Sequence, residues 1–210
     1  QELTLSASLD VSGLRVSGDW TVSVFEAVDG WRTQLTVADG TASWAISGLT
    51  GGLTDVAGSY EFGAGSPTLA MTANGALSAF GGASLSGDFA IAHNATTGGL
   101  QVTANGVSAR LGNPSHGVSA LVSGADLSVQ MQGGAFDIVA TGDGTIDGLP
   151  GFSFTGQLGF EASSASGTAR FVARDAQVVT PDLGTLSGDF VFATSSQTTT
   201  THRIHRFVIG

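Results

Sequence analysis

The chain has 210 residues, 41% hydrophobic but only 11% charged, with 32 Gly, 4 Pro and neither Cys nor Lys. Seventeen acidic residues against seven arginines give a net charge of −10, which opposes nucleic-acid phosphates and anionic membrane surfaces. Disulfides, thiol catalysis and Cys-ligated zinc are excluded with the Cys, collagen by the lack of a three-residue Gly period, and a transmembrane helix by the lack of any apolar run of the required length.

Helical periodicity is nearly absent, and short alternating runs predict strands throughout. The first motif is VSGDW (16–20), in which Gly18 precedes an aromatic residue placed for burial, Trp20. Asp29-Gly30 marks a turn and leaves Trp31 the aromatic residue best placed to be exposed. An alternating run with an Asp-Gly step follows, LTVADG (35–40), then Trp44 and a turn-like connector, GLTGGL (48–53). VAGSY (56–60) repeats the first motif with Gly58 and Tyr60, and MTANG (71–75) repeats the second. LSGDF (85–89) carries Gly87, VTANG (102–106) lies in a run whose Leu100, Val102 and Ala104 share a face, and GNPSHG (112–117) reads as a connector. VSGADL (122–127), with Gly124, is a looser copy with one extra residue. VATGDG (139–144), the connector GLPG (148–151), FTGQL (154–158) with Gly156, VARDA (172–176) and LSGDF (186–190) with Gly188 complete the series.

The six motif glycines are spaced by 40, 29, 37, 32 and 32 residues, and each second-motif Asn or Asp precedes the next of them by 19, 13, 19, 13 and 13. That alternation sets a two-unit super-repeat of roughly 66 to 69 residues. Each unit reads as a pair of strands. The first carries an Asn/Asp step as a turn or bulge; the second opens on the small-Gly step and buries its aromatic. The fold class is therefore all-β, with repetitive antiparallel strand pairs stacked as an elongated β-solenoid-like or β-sandwich array. Residues 1–194 form a repetitive domain of about six units, and 195–210 a Thr-rich linker followed by a terminal strand or attachment segment.

His93, His116, His202 and His205 form no ligand or catalytic pattern, since His202 and His205 fall on opposite faces of a strand. No Gly-x-Ser-x-Gly elbow occurs. Asp19, Asp88 and Asp189 recur at one repeat position, which favours a structural role in which each carboxylate accepts a backbone N–H in a turn. The one calcium candidate is GDGTIDG (142–148), where Asp143 and Asp147 bracket a Gly-rich turn. The sequon Asn94-Ala95-Thr96 is short enough to arise by chance.

The LSGDF copies at 85–89 and 186–190, their degenerate relatives and the TANG copies at 72–75 and 103–106 resemble the repeat regions of very large secreted bacterial surface proteins, adhesins among them. The resemblance implies an extracellular stalk, adhesive surface or fibre-forming subunit on the bacterial cell surface, with neighbouring repeats or identical subunits as partners. The acidic balance points away from nucleic acid, the lack of a long apolar run from membrane insertion, and the lack of a catalytic constellation from an enzyme. The alternatives are a glycan-binding adhesive module using Trp31, an outer-membrane β-barrel, and a polysaccharide hydrolase on a β-solenoid.

Overall fold

The computed structural model describes residues 3–46, 48–79, 83–94, 98–111, 119–147, 153–180, 184–195 and 206–209. They form thirteen strands: β1 (Leu3–Val11), β2 (Leu14–Ala27), β3 (Gly30–Ile46), β4 (Leu49–Gly63), β5 (Thr68–Ala79), β6 (Ala83–Asn94), β7 (Gly99–Leu111), β8 (Ser119–Gln132), β9 (Ala135–Asp147), β10 (Ser153–Ser163), β11 (Thr168–Thr180), β12 (Gly184–Ser195) and β13 (Arg206–Ile209). No helix occurs among the described residues. The strands hydrogen-bond in sequence order as one antiparallel sheet, with β1 and β13 at its edges. The array expected from the repeats is thus one continuous meander.

Alternation explains the strands. In β5, Leu69, Met71, Ala73, Leu77 and Ala79 are buried while the residues between them are exposed or, at Gly75, intermediate. The same face continues through Ile91, Val102, Val129, Ile138, Phe160 and Phe171, all buried. Phe160 of β10 and Phe171 of β11 sit side by side, their rings 5.2 Å apart. One face of the sheet is therefore a single apolar core and the other is rich in Ser, Thr, Asp and Asn. These apolar side chains are buried although no helix or second sheet occurs among the described residues. Tight turns drive the meander: Ser12-Gly13 and Gly133-Gly134 both take positive φ at two successive positions, the geometry that matches strand twist.

The regular pairing is interrupted locally. β3, β4, β7, β8 and β11 each hold one extra residue in mid-strand. The residue in the left-handed region is Asp39, Asp55, Gly106, Gly124 or Asp175, with φ between 49° and 69°. Asp tolerates that region because its short side chain bonds locally. At every bulge two consecutive residues face outward, so the inward alternation resumes undisturbed, as from Val37 across Ala38 and Asp39 to Gly40. Bulges bend and twist strands. Here they line up in adjacent strands.

The bulges also explain the super-repeat. Two regular strands alternate with two bulged ones: β1 and β2 are regular, β3 and β4 bulged, β5 and β6 regular, β7 and β8 bulged, β9 and β10 regular. β11 is bulged and β12 is not, a departure from the pattern. β3, β7 and β11 begin at Gly30, Gly99 and Thr168, 69 residues apart each time. The extra residue of VSGADL is the β8 bulge itself, with Gly124 at φ 60°.

The six motif glycines lie one on each even strand, and the Asn/Asp steps lie on odd strands. The small-Gly step does not open its strand, however. Gly18, Gly87 and Gly188 are each the fifth residue of theirs, and Gly58 lies deeper still. Gly18, Gly58, Gly87 and Gly156 serve close approach of neighbouring strands, whereas Gly124 and Gly188 face open space and are set by their positive φ alone. A Cβ on Gly58 (φ 151°) would meet the Ala70 carbonyl oxygen and come within 2.6 Å of Met71 Cα. The expected connector at 48–53 is also a strand from Leu49 onward. Residues 112–117 and 148–151 lie outside the described residues, as do 196–205 of the expected linker, while β13 pairs four residues with β12.

Candidate functional site

Two surfaces combine functional side chains. The first is the tip where β2, β3 and β4 run past the core. Register places Val24, Thr33 and Phe62 in one cross-strand row, with Glu26 and Trp31 in the next. All point to the inner face, yet here it is uncovered: Trp31 is 64% exposed, Val24 60% and Phe62 41%. Tyr60 is half-buried and stacks on Phe62, with ring centroids 5.6 Å apart.

The other face of the tip is a polar clamp. Arg32 donates to Asp29 through Nε (3.2 Å) and Nη2 (2.6 Å), and lies 3.6 Å from Glu61. Gln34 Nε2 donates to Glu61 Oε1 at 2.9 Å. The hydrogen bonds from Arg32 hold the Asp29 carboxyl below its ordinary value, and Asp29 in turn raises the Arg32 guanidinium. The Ala64 N–H donates to the Trp31 carbonyl at 3.1 Å, pinning the chain after β4 to the tip. Trp31 is therefore an exposed ring on a braced backbone, beside a stacked aromatic pair.

The second surface is the outer face along the bulge line. Asp19, Asp39, Asp55, Asn74, Asp88, Asn105, Asp126, Asp143, Gln157, Asp175 and Asp189 stand near it on successive strands from β2 to β12. The repeated Asp residues act across strands and not within turns. Ser6 donates to Asp19, Asn74 Nδ2 donates to Asp88 at 2.6 Å, and the backbone N–H of Asp175 donates to Asp189 at 3.1 Å. Two shallow depressions lie on this line. One is lined by Asn74, Asp88 and Asn105 among others, the second by Asp143, Gln157 and Arg174 among others. Each member of the second set lies 69 residues after its counterpart in the first, so the hollow recurs with the period. Its chemistry does not: an Asn-Asp-Asn set becomes an Asp-Gln-Arg set. Three lining positions that keep their place in the repeat while their charge changes read as architecture.

The calcium expectation rested on a turn that is not there. Gly142 to Asp147 belong to β9, and four residues of extended strand separate the Asp143 and Asp147 Cα atoms by about 13 Å. Asp143 is exposed opposite Ser123 and Gln157, and the Asp147 side chain lies outside the described set. Among the described residues no three His, Asp or Glu groups converge to hold an ion.

Trp20 is buried and its indole N–H donates to the Ala7 carbonyl at 3.1 Å. Trp44 is buried too, and among the described residues its indole nitrogen meets no acceptor. His93 is half-buried in β6; His116, His202 and His205 lie outside the described residues, as do Ala95 and Thr96 of the sequon. The sequence reading missed Val24 and Phe62 as neighbours of Trp31. Alternation along 31–37 carried half of that information, but the pairing of Thr33 with Val24 and Phe62 did not. Comparison of the chain with family models, curated proteins and solved structures gave no match.

Proposed function

We propose that this chain is a structural segment of a bacterial cell-surface protein, a stalk or fibre-forming element built by repeating β-strands. The observation that carries the reading is the four-strand period, in which strand starts and paired bulges recur every 69 residues through β10 and into β11. Such an array grows by adding neighbours and keeps its cross-section, as repeat proteins do. The outer face, polar and free of Lys, suits exposure to solvent along its whole length. An outer-membrane barrel would need the reverse arrangement, apolar residues outward. On intact cells of the source bacterium the segment is expected to be open to antibody and protease. Small-angle scattering of the purified chain is expected to give a radius of gyration above the value of about 17 Å for a globule of this length. Protection from protease on intact cells, or a globular radius, would count against the reading.

A second reading has its own observation, the braced and exposed Trp31 beside the Tyr60–Phe62 stack. An aromatic ring on a rigid tip offers a face to a sugar ring, which makes the segment a glycan-binding adhesive module. A glycan array is expected to give hits that Trp31→Ala abolishes; hits unaffected by Trp31→Ala would remove the reading.

A further inference from the structure

The chain has two Asn-Gly steps, and both lie in the same tetrapeptide, Thr-Ala-Asn-Gly, at 72–75 in β5 and at 103–106 in β7. Asn-Gly is the step at which an asparagine loses its amide most readily. Glycine has no side chain to shield its backbone nitrogen, so that nitrogen reaches the side-chain carbonyl before it. Local sequence makes the two steps equals, and both asparagines are exposed, so access of water does not separate them. Their places in the sheet do.

In β5 the step is held on both sides. Asn74 registers with Thr54 and Asp88, and Gly75 with Leu53 and Gly87. Asn74 Nδ2, the nitrogen that has to leave, donates to Asp88 at 2.6 Å. Gly75 is also packed against β4, with the Gly52 carbonyl oxygen 2.5 Å from the position of an added Cβ. In β7 the same step falls on the bulge. The register with β8 passes from Ala104 to Val107, and that with β6 from Thr103 to Ser108. Asn105 and Gly106 therefore have no registered partner on either neighbouring strand. Gly106 has φ 69°, and nothing lies within 4 Å of where its Cβ would be. A bulge leaves its extra residue outside the ladder. The backbone rotation that brings the Gly106 nitrogen onto Asn105 Cγ disturbs no registered pair of either residue. At Asn74 the same rotation disturbs the pairing with both β4 and β6.

We propose that Asn105 is a self-modification site, which deamidates through a cyclic imide while Asn74 is protected. The Gly106 amide gives up its proton to hydroxide, and its nitrogen bonds to Asn105 Cγ. The Cγ–Nδ2 bond breaks, and the side-chain nitrogen leaves as ammonia. Water then opens the ring at either carbonyl carbon, giving aspartate or isoaspartate. The net change is amide plus water to carboxylate plus ammonium, with nothing oxidised or reduced. Isoaspartate carries one more carbon in its main chain, which a bulge outside the ladder takes up more readily than a paired strand. The new carboxylate stands in the hollow lined by Asp55 and Asp88. Its counterpart 69 residues on is Arg174, in the second hollow. Modification thus drives the two hollows further apart in charge. The reaction needs only water and the bulge, so it proceeds whether the chain is a stalk or an adhesive module.

The test follows the purified full chain at mildly alkaline pH, folded and in urea. Fragment-ion mass spectrometry reads Asn74 and Asn105 separately and distinguishes isoaspartate from aspartate. In the folded chain Asn105 is expected to convert at least about tenfold faster than Asn74, because a registered strand must open before it reacts. In urea, where both tetrapeptides are released, the two rates are expected to converge. Native anion-exchange chromatography tracks the added charge. The parent and Asn74→Gln are expected to build up a later-eluting form at the same rate, and Asn105→Gln to build up almost none. Circular dichroism reports that both variants keep the strand signal of the parent. Two results overturn the proposal: a folded chain in which Asn105 converts no faster than Asn74, or one in which Asn105 stays intact.

Discussion

Three glycines separate backbone strain from close packing. Gly52 has no positive φ and nothing within 4 Å of the position an added Cβ would take. Gly188 has φ 150° and equally open surroundings. Gly58 has nearly the same φ, 151°, but faces the β5 backbone, with Met71 Cα 2.6 Å from the added carbon. Gly52→Ala removes unfolded-state entropy at a compatible site, so it is expected to be neutral or stabilising by about 0.5–1 kcal/mol. Gly188→Ala forces an alanine into a region nearly reserved for glycine, costing about 1–3 kcal/mol. Gly58→Ala adds to that strain a collision with main chain, which no rotamer change relieves, and is expected to exceed about 4 kcal/mol. Urea denaturation followed by Trp fluorescence reads the series. With an m-value of about 2 kcal/mol/M, Gly188→Ala lowers the midpoint by about 0.5–1.5 M, and Gly58→Ala by more than about 2 M. Equal losses at Gly58 and Gly188 would refute the close-approach argument, and a loss at Gly52 as large as at Gly188 would refute the strain argument.

Trp44→Phe removes a buried indole N–H that has no acceptor among the described residues, whereas Trp20→Phe breaks a bond to the Ala7 carbonyl. In chemical denaturation the Trp20 variant is therefore expected to be the less stable by at least about 1 kcal/mol. Asp55→Val puts a β-branched residue at φ 53° and is expected to lose about 1–2 kcal/mol, while Asp55→Gly at the same bulge is near neutral in thermal melts. The Asp29 carboxyl ionises at lower pH folded than unfolded, because Arg32 bonds its charged form. The contribution of the pair is accordingly present above the unfolded value of about 3.9 and is lost as pH falls through the lowered folded value. The Trp31 indole NMR signal is expected to shift in that acidic window in the parent and to stay flat in Arg32→Ala.

Class and repeat were legible because they are written in local patterns. Alternation gave strands, and the six glycine steps gave one motif per even strand. The 66-to-69-residue rhythm was visible as unequal spacings, but its cause was not. A bulge shows in one strand only as an extra residue, as in VSGADL; that bulges fall in adjacent strands and line up depends on register, which no single segment encodes. The Asp-Gly steps misled for the same reason. In β3 the step is a bulge, but in β9 Asp143-Gly144 is plain strand, where the expectation had been a turn holding an ion. Trp31 was legible as exposed because it follows a turn. Its surroundings required cross-strand partners from residues 24 and 62, which lie on two other strands.

The period also makes the chain a ruler. Neighbouring strands lie about 4.8 Å apart, so each block of four advances the sheet by about 19 Å. Removing residues 30–98 would bring β2 directly against β7, a bulged strand of the same kind as the β3 it normally meets. Removing only β3 and β4 would set regular strands against regular strands and interrupt the line of bends. Proteins built this way change reach in whole blocks, and the surface they carry moves outward in steps of fixed height.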